Sequence, residues 1–238
     1  MSQQTVEAPP AESRRRGRGV TFWVGLGLVA AGLVLLGYVA WQFYGTNIVS
    51  GRHQREAVAQ LQREWREDPA PSTAAKPGAD AVKLGQATAL IRIPRFGDDY
   101  VMPVFEGVAD DVLAKGFGHF EGAAQAGEKG NYALAAHRVT HGEPLRDMPS
   151  LRPGDEVIVE TREEIYTYVL DTNPNDLVVT FNDVWVVAPE PENPTAGGVG
   201  PVDDPRLITL TTCAELFHTD NRMIAFGHLV AKEPRSQA

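Results

Sequence analysis

Cysteine occurs once in this chain, at Cys213. It closes the run Thr209-Leu210-Thr211-Thr212-Cys213, and Arg222 follows nine residues later. A thiol reacts as the thiolate, and with an ordinary pKa of about 8.5 only a few per cent of it ionises at neutral pH. A nearby imidazolium or guanidinium favours the anion, so a working thiol needs a histidine and a cation beside it. His137 and Arg222 are the candidates. Such a thiolate attacks an amide carbonyl, and negative charge develops on the carbonyl oxygen. A fixed guanidinium donates charge-assisted hydrogen bonds to that oxygen or to neighbouring substrate carbonyls. The leaving amine needs a proton, which His137 can supply as general acid. The bland alternative is a cysteine that serves as a small buried hydrophobe. Two features argue for reactivity: the polar Thr211-Thr212 with Arg222 beyond, and signs of export, since exported proteins normally pair their cysteines or have none.

Three apolar runs must position these residues. His137 ends NYALAA, Cys213 ends RLITLTT, and Arg222 begins MIAFGHLV. If the last two strands form a hairpin, the end of one lies beside the start of the next, and Cys213 and Arg222 share a rim. His137 reaches that rim if its strand runs parallel to the one ending at Cys213. Further strand-like runs fall at Ala89–Ile93, Val101–Phe105, Asn131–Ala136, Glu156–Thr161, Ile165–Leu170, Leu177–Phe181, Asp183–Val187, Leu207–Thr212 and Met223–Val230. Ala109–Lys115 reads as a helical turn or two. Short strands punctuated by Pro-Gly, Asn-Pro and Gly-Gly predict an antiparallel sheet closed into a small barrel, because closure removes exposed edges.

Residues 83–234 are thus the folded domain. Ahead of it, residues 1–19 hold four arginines against two glutamates, a net of +2, which leaves −11 for the rest of a chain whose net charge is −9. The acidic body argues against nucleic acid as a partner. Val20–Tyr44 is 25 residues without a charge. That exceeds the roughly 20 helical residues needed to cross a bilayer core, and aromatic residues stand near both ends. The expected layout is a basic cytoplasmic tail (1–19), a transmembrane anchor (20–44), a stalk helix and linker (45–82) and the domain outside the cell. A cleaved signal peptide and a buried core helix are the alternatives; the apolar run is long for the first, and Tyr38-Val39-Ala40 is a poor cleavage site. In 51–67 the apolar Val58, Leu61 and Trp65 fall at helical spacing on one narrow face, which reads as a solvated stalk. The Pro-, Ala- and Gly-rich 68–82 reads as a flexible linker.

The residues resemble a known family. Thr209–Cys213 matches the TLxTC motif of sortases, the cysteine transpeptidases of Gram-positive bacteria, and Arg222 stands at the expected start of the next strand. Ala136-His137-Arg138-Val139-Thr140-His141-Gly142, entered through a strand that begins at Gly130-Asn131, is similar to the GHR-T-HG segment of the class E sortases of actinobacteria. The resemblance extends over about residues 86–232 and takes in Ile91–Phe96 and Gly116–Gly122. It departs at Ala136, where the family has Gly, at Glu215, where it has Pro, and at Gly227-His228, where apolar residues are expected. It implies a mostly β fold: a closed eight-stranded sortase-type β-barrel with short helices, preceded by a single N-terminal transmembrane helix. It implies a catalytic triad of His137, Cys213 and Arg222, with Ala135 and Thr211 near the substrate groove. The implied reaction cleaves an LPxTG-like sorting signal (LAxTG in class E) between Thr and Gly. A thioacyl intermediate forms and is resolved by an amine of a peptidoglycan precursor, which attaches a secreted protein to the cell wall. The expected partners are those secreted proteins, the precursor amine and membrane lipid.

Two alternatives stand against this: a wall-binding module that kept the barrel without catalysis, and a cysteine peptidase that releases product to water. No cofactor and no metal is expected. His137 and His141 share a face only if their segment is helical, and Val139-Thr140 after a β run argues against that. His119, His218 and His228 read as exposed or hydrogen-bonded. Asp98-Asp99, Asp110-Asp111 and Asp203-Asp204 read as solvated turns without calcium-loop spacing.

Overall fold

The structure, a computed structural model, describes residues 19–67, 83–194, 205–214 and 220–235. It divides into two units, one ending at Trp41 and one beginning at Gln42. The first contains helix α1 (Val20–Ala40), with no buried residue. At 1.5 Å per residue its 21 residues reach about 31 Å, the thickness of a bilayer core. Its apolar residues run all round the helix, so it has no polar face to turn to water.

Among the described residues the second unit holds helix α2 (Thr46–Glu67), a one-turn helix α3 (Asp110–Leu113) and nine strands: β1 (Ala87–Arg92), β2 (Met102–Glu106), β3 (Phe117–His119), β4 (Gly130–Ala135), β5 (Glu156–Glu160), β6 (Glu164–Leu170), β7 (Val178–Thr180), β8 (Arg206–Cys213) and β9 (Asn221–Pro234). They pair in the order β6-β5-β1-β2-β3-β4-β8-β9, and a further β6–β9 pairing closes this ring of eight; β7 is added outside, along β9. The closed eight-stranded barrel is the expected fold. The expectation of a purely antiparallel sheet is corrected, because β2–β3 and β4–β8 are parallel pairs. A parallel pair needs a crossover, and here α3 lies between the first two strands and the chain from 136 to 205 between the second.

Two smaller expectations also change. Asp183–Val187 is no strand: Val184–Val187 forms a 3-10 turn. The Asp183 carboxylate accepts hydrogen bonds from the Thr180 amide and hydroxyl, both at 2.7 Å, and turns the chain there. Val186 then packs with Leu177, Ile224 and Phe226. β3 went unread because its three residues centre on a glycine and show no apolar alternation.

The barrel interior is filled by Ile91, Val104, Phe117, Tyr132, Leu134, Val157, Tyr168, Ile208, Leu210 and Ala225, among others. On β4 the residues at 132 and 134, with Ala136 beyond, face this core, as do 208 and 210 on β8. Strand alternation therefore turns 131, 133 and 135, and 207, 209, 211 and 213, to the outer face. The Gly227-His228 departure has a cause where β6 and β9 close the ring. A Cβ at Gly227 would lie 2.6 Å from the Val169 carbonyl oxygen, so only glycine allows the approach. His228 bonds through Nδ1 to the Asp171 carboxylate at 2.8 Å.

Helix α2 is helical as expected but is not solvated. Ser50, Gln54, Val58, Leu61 and Trp65 are buried along one face, and the last three pack with Leu90 of β1. Burial of each aliphatic side chain is worth about 1.5–3 kcal/mol, which favours the docked helix. The Arg235 guanidinium covers the Trp65 ring at 4.8 Å from its centroid. The proposed linker, 68–82, lies outside the described residues.

The start of β5 is tied to the Pro94–Phe96 turn. Asp155 accepts from Arg95 Nε (2.9 Å) and Nη2 (2.6 Å) and from the Arg152 amide (2.8 Å). The Arg95 hydrogen bond, aided by the Arg152 amide and opposed by partial burial, holds this carboxyl below its usual range. A lowered native pKa means that the stabilisation is complete above the unfolded value of about 3.9 and is lost as pH falls through the native one. Asp155→Asn is therefore expected to melt a few degrees below the parent at neutral pH. Melting curves recorded down the pH scale should show that gap closing below about pH 4.

Candidate active site

Cys213 and Arg222 are direct register partners on β8 and β9. One step further, the Ala214 amide donates to the Asn221 carbonyl at 3.1 Å, which makes 214/221 the hydrogen-bonded pair. Alternation makes 213/222 a non-hydrogen-bonded pair, the type with Cα atoms about 4.5 Å apart and side chains close on one face. Arg222 also pairs with Val179 of β7, and its Nη1 donates to the Asn221 carbonyl at 2.9 Å. Cys213 is a free thiol, half-buried.

The histidine arrives from the other side. β4 runs parallel to β8 with Ala135 opposite Thr211, so the condition that puts His137 on the Cys213 rim is met. Thr212 Oγ1 donates to the Ala136 carbonyl at 2.7 Å, and the Ala136 amide donates to the Thr211 carbonyl at 3.2 Å. These bonds join the two strand ends next to the residues of interest. Ala135 and Thr211 share the outer face with Cys213, two residues back on their strands. Leu177, Val186, Ile224 and Phe226 form an apolar cluster on the outer side of β9, beside Arg222.

Arg138 is the residue that sequence reasoning passed over, although it stands in the quoted motif. Its Nη1 donates to the carbonyl of Cys213 at 3.3 Å and to that of Ala214. A guanidinium on the His137 segment thus ties down the strand end that carries the thiol. Its signal in the sequence was its place next to His137. Replacing Arg138 with Met is expected to lower the melting temperature by several degrees, the worth of one or two charge-assisted hydrogen bonds. Arg138→Lys, which can bond one carbonyl but not span two, should fall between; thermal melts of the three proteins check this.

After His137 the chain turns sharply. His141, Gly142 and Glu143 have φ of 54°, 81° and 53°. The left-handed region costs a non-glycine residue about 1–2 kcal/mol, so the two flanking residues need outside support. The rings of His137 and His141 stack with centroids 4.6 Å apart. The two histidines meet through this turn and not through a helix face. The Leu145 amide donates to the His137 carbonyl at 3.0 Å.

Other titratable side chains lie elsewhere. His119 is fully buried and bonds Glu106 (2.9 Å) and the Ala124 carbonyl (3.0 Å), a structural role. Tyr132 lies in the barrel core, away from the outer face, and burial pushes its phenol well above the ordinary pKa. Tyr100 donates to the Pro144 carbonyl at 2.6 Å. Glu215, His218 and Asp203-Asp204 lie outside the described residues.

The fold and rim define a class: a closed mixed β-barrel that presents a strand-end thiol, an opposed guanidinium and an imidazole from the neighbouring parallel strand. A family model describing the sortase domain matches residues 91–230, most of that barrel. The chain belongs to the sortase family. Sortase SrtE1 of Streptomyces coelicolor is 33% identical over 237 residues, which is 95% of this chain and 62% of SrtE1, so this chain spans under two thirds of that relative's length. The structure of sortase E from Streptomyces avermitilis is 39% identical with a TM-score of 0.55, and covers 64% of this chain and 93% of its own. That of sortase E1 from S. coelicolor with a tripeptide in the active site is 34% identical with a TM-score of 0.54, and covers 65% and 94%.

Proposed function

We propose that the chain is a membrane-anchored cysteine transpeptidase of class E type, with His137, Cys213 and Arg222 as its triad. The observation that carries this reading is the register: Cys213 faces Arg222 across β8–β9, and β4 delivers His137 to the same end. The Cys213 thiolate attacks the Thr carbonyl of an LAxTG- or LPxTG-like sorting signal. The Thr–Gly C–N bond breaks as His137 gives its proton to the leaving amine, which leaves a thioester on Cys213. An acceptor amine of a peptidoglycan precursor attacks that thioester, His137 takes the amine's proton, and the thiolate is restored. Arg222 donates hydrogen bonds to the oxyanion or to the adjacent substrate carbonyls.

Ala135 and Thr211, partners on the outer face behind the thiol, would line the path of the signal. The apolar α1, with four arginines ahead of it in the sequence, supports an anchor with its N-terminus in the cytoplasm and the barrel outside. The partners are then secreted proteins with such a signal. The test is to incubate the full chain in detergent with a quenched LAxTG peptide, with and without an added amine. Cleavage with amine incorporated at the Thr carboxyl is expected. Release of free acid alone would favour a peptidase, and binding without cleavage a non-catalytic module.

A further inference from the structure

We propose that Asn47 and Gln54 of α2, far from the barrel rim in sequence, are positioning residues for His137. The proposal rests on the transpeptidase reading for its kinetic consequence but not for its structural one. The two residues are seven apart, two turns of helix, and so project from one side of α2. Gln54, buried on the docked face, donates from Nε2 to the His141 carbonyl at 2.9 Å. Asn47 Oδ1 accepts from the Gly142 amide at 2.9 Å, and Asn47 Nδ2 donates to Glu143 Oε1 at 2.7 Å. All three residues of the left-handed turn are thereby held by one helix.

The fit is close. A Cβ at Gly142 would stand 2.4 Å from Gln54 Oε1, so side chain and turn are packed against each other. His141 carries the effect onward. Its ring stacks on His137, and its Nδ1 makes no hydrogen bond among the described residues. The ring's place therefore depends on the stack and on the backbone turn beneath it. Releasing the turn lets the His141 ring leave the His137 face, and the imidazole loses a wall that fixes its orientation at the rim. α2 owes its own place to Val58, Leu61 and Trp65 against Leu90, contacts that replacing Asn47 or Gln54 leaves intact.

The experiment compares the full chain with Gln54→Glu, Asn47→Ala, Asn47→Asp and the Asn47→Ala/Gln54→Glu pair. Gln54→Glu keeps the shape but removes the donor to the His141 carbonyl. Asn47→Asp keeps the acceptor for the Gly142 amide but sets a carboxylate against that of Glu143, so it should recover little of what Asn47→Ala loses. Expected for the pair is a fall in kcat of about 10-fold or more with KM changed less than about 2-fold, because orientation of the reacting group is lost while the peptide groove stays. The ring-proton resonances of His137 and His141 in selectively labelled protein should shift as the stack opens. A pair variant with parental kcat, or with unmoved histidine resonances while the α2 amides remain helical, overturns the proposal. If the parent cleaves no peptide, the transpeptidase reading fails, and the histidine resonances alone decide whether Asn47 and Gln54 hold the stack.

Discussion

Cys213→Ala is expected to leave a folded barrel that no longer cleaves a sorting-signal peptide, a loss on the order of 10⁴-fold or more. The side chain stands half-exposed at the last position of β8, and its backbone is already fixed from both sides. The Ala214 amide bonds β9, and the Cys213 carbonyl accepts from Arg138. Removing one sulfur there opens no cavity in the core, so the melting temperature should stay within about a degree or two of the parent. The chemistry has no substitute, because the chain contains no second thiol. Cys213→Ser should be nearly as inactive, since a hydroxyl beside a single imidazole is a far weaker nucleophile than a thiolate. Mass spectrometry of the parent quenched during turnover should find the acyl adduct on Cys213, and neither variant should carry it. Cleavage by Cys213→Ala at even a tenth of the parental rate would end the thioacyl mechanism.

Arg222→Ala is expected to cost roughly 10²- to 10³-fold in kcat, the usual effect of losing a preorganised donor to a developing oxyanion. Its position opposite Cys213 in a non-hydrogen-bonded pair puts the guanidinium on the thiol's face, and β7 on its other side keeps that stretch of β9 from fraying. Arg222→Lys should recover only a minor part. A lysine ammonium is a point charge on a flexible stem and cannot present the planar fork of donors. Steady-state kinetics on one peptide, with circular dichroism to confirm the fold, separate this from a structural loss. An Arg222→Lys variant with parental kcat would mean that only charge is needed there.

Much of the fold was legible because strand signals are local. Eight of the expected strand runs overlap observed strands, from Ala89–Ile93 to Met223–Val230, since apolar runs between turn residues report burial directly. Asp183–Val187 misled because four apolar residues in a row fit a strand or a 3-10 turn equally. Only the Asp183 carboxylate, bonding back to Thr180, decides between them. Helix α2 was half legible. Val58, Leu61 and Trp65 mark its apolar stripe, but Ser50 and Gln54 continue the same buried face with polar side chains, which in a sequence look like solvated positions.

By itself the sequence determined an apolar helix long enough for a bilayer, a β-rich domain, and a single cysteine placed at a strand end with an arginine at the start of the next. All of these depend on residues near one another along the chain, where periodicity, charge and turn chemistry act. The tertiary structure decided what depends on residues far apart. It made β4 and β8 parallel, which brings His137 to the same rim as the thiol. It turned Arg138 onto the carbonyls of Cys213 and Ala214, 75 and 76 residues away. It also set Asn47 and Gln54 against a turn some 87 to 96 residues downstream. The physical reason is that a polar side chain carries no mark of its partner: a glutamine on a helix reads the same in water as against a strained carbonyl, until the packing of Val58, Leu61 and Trp65 brings that carbonyl within reach.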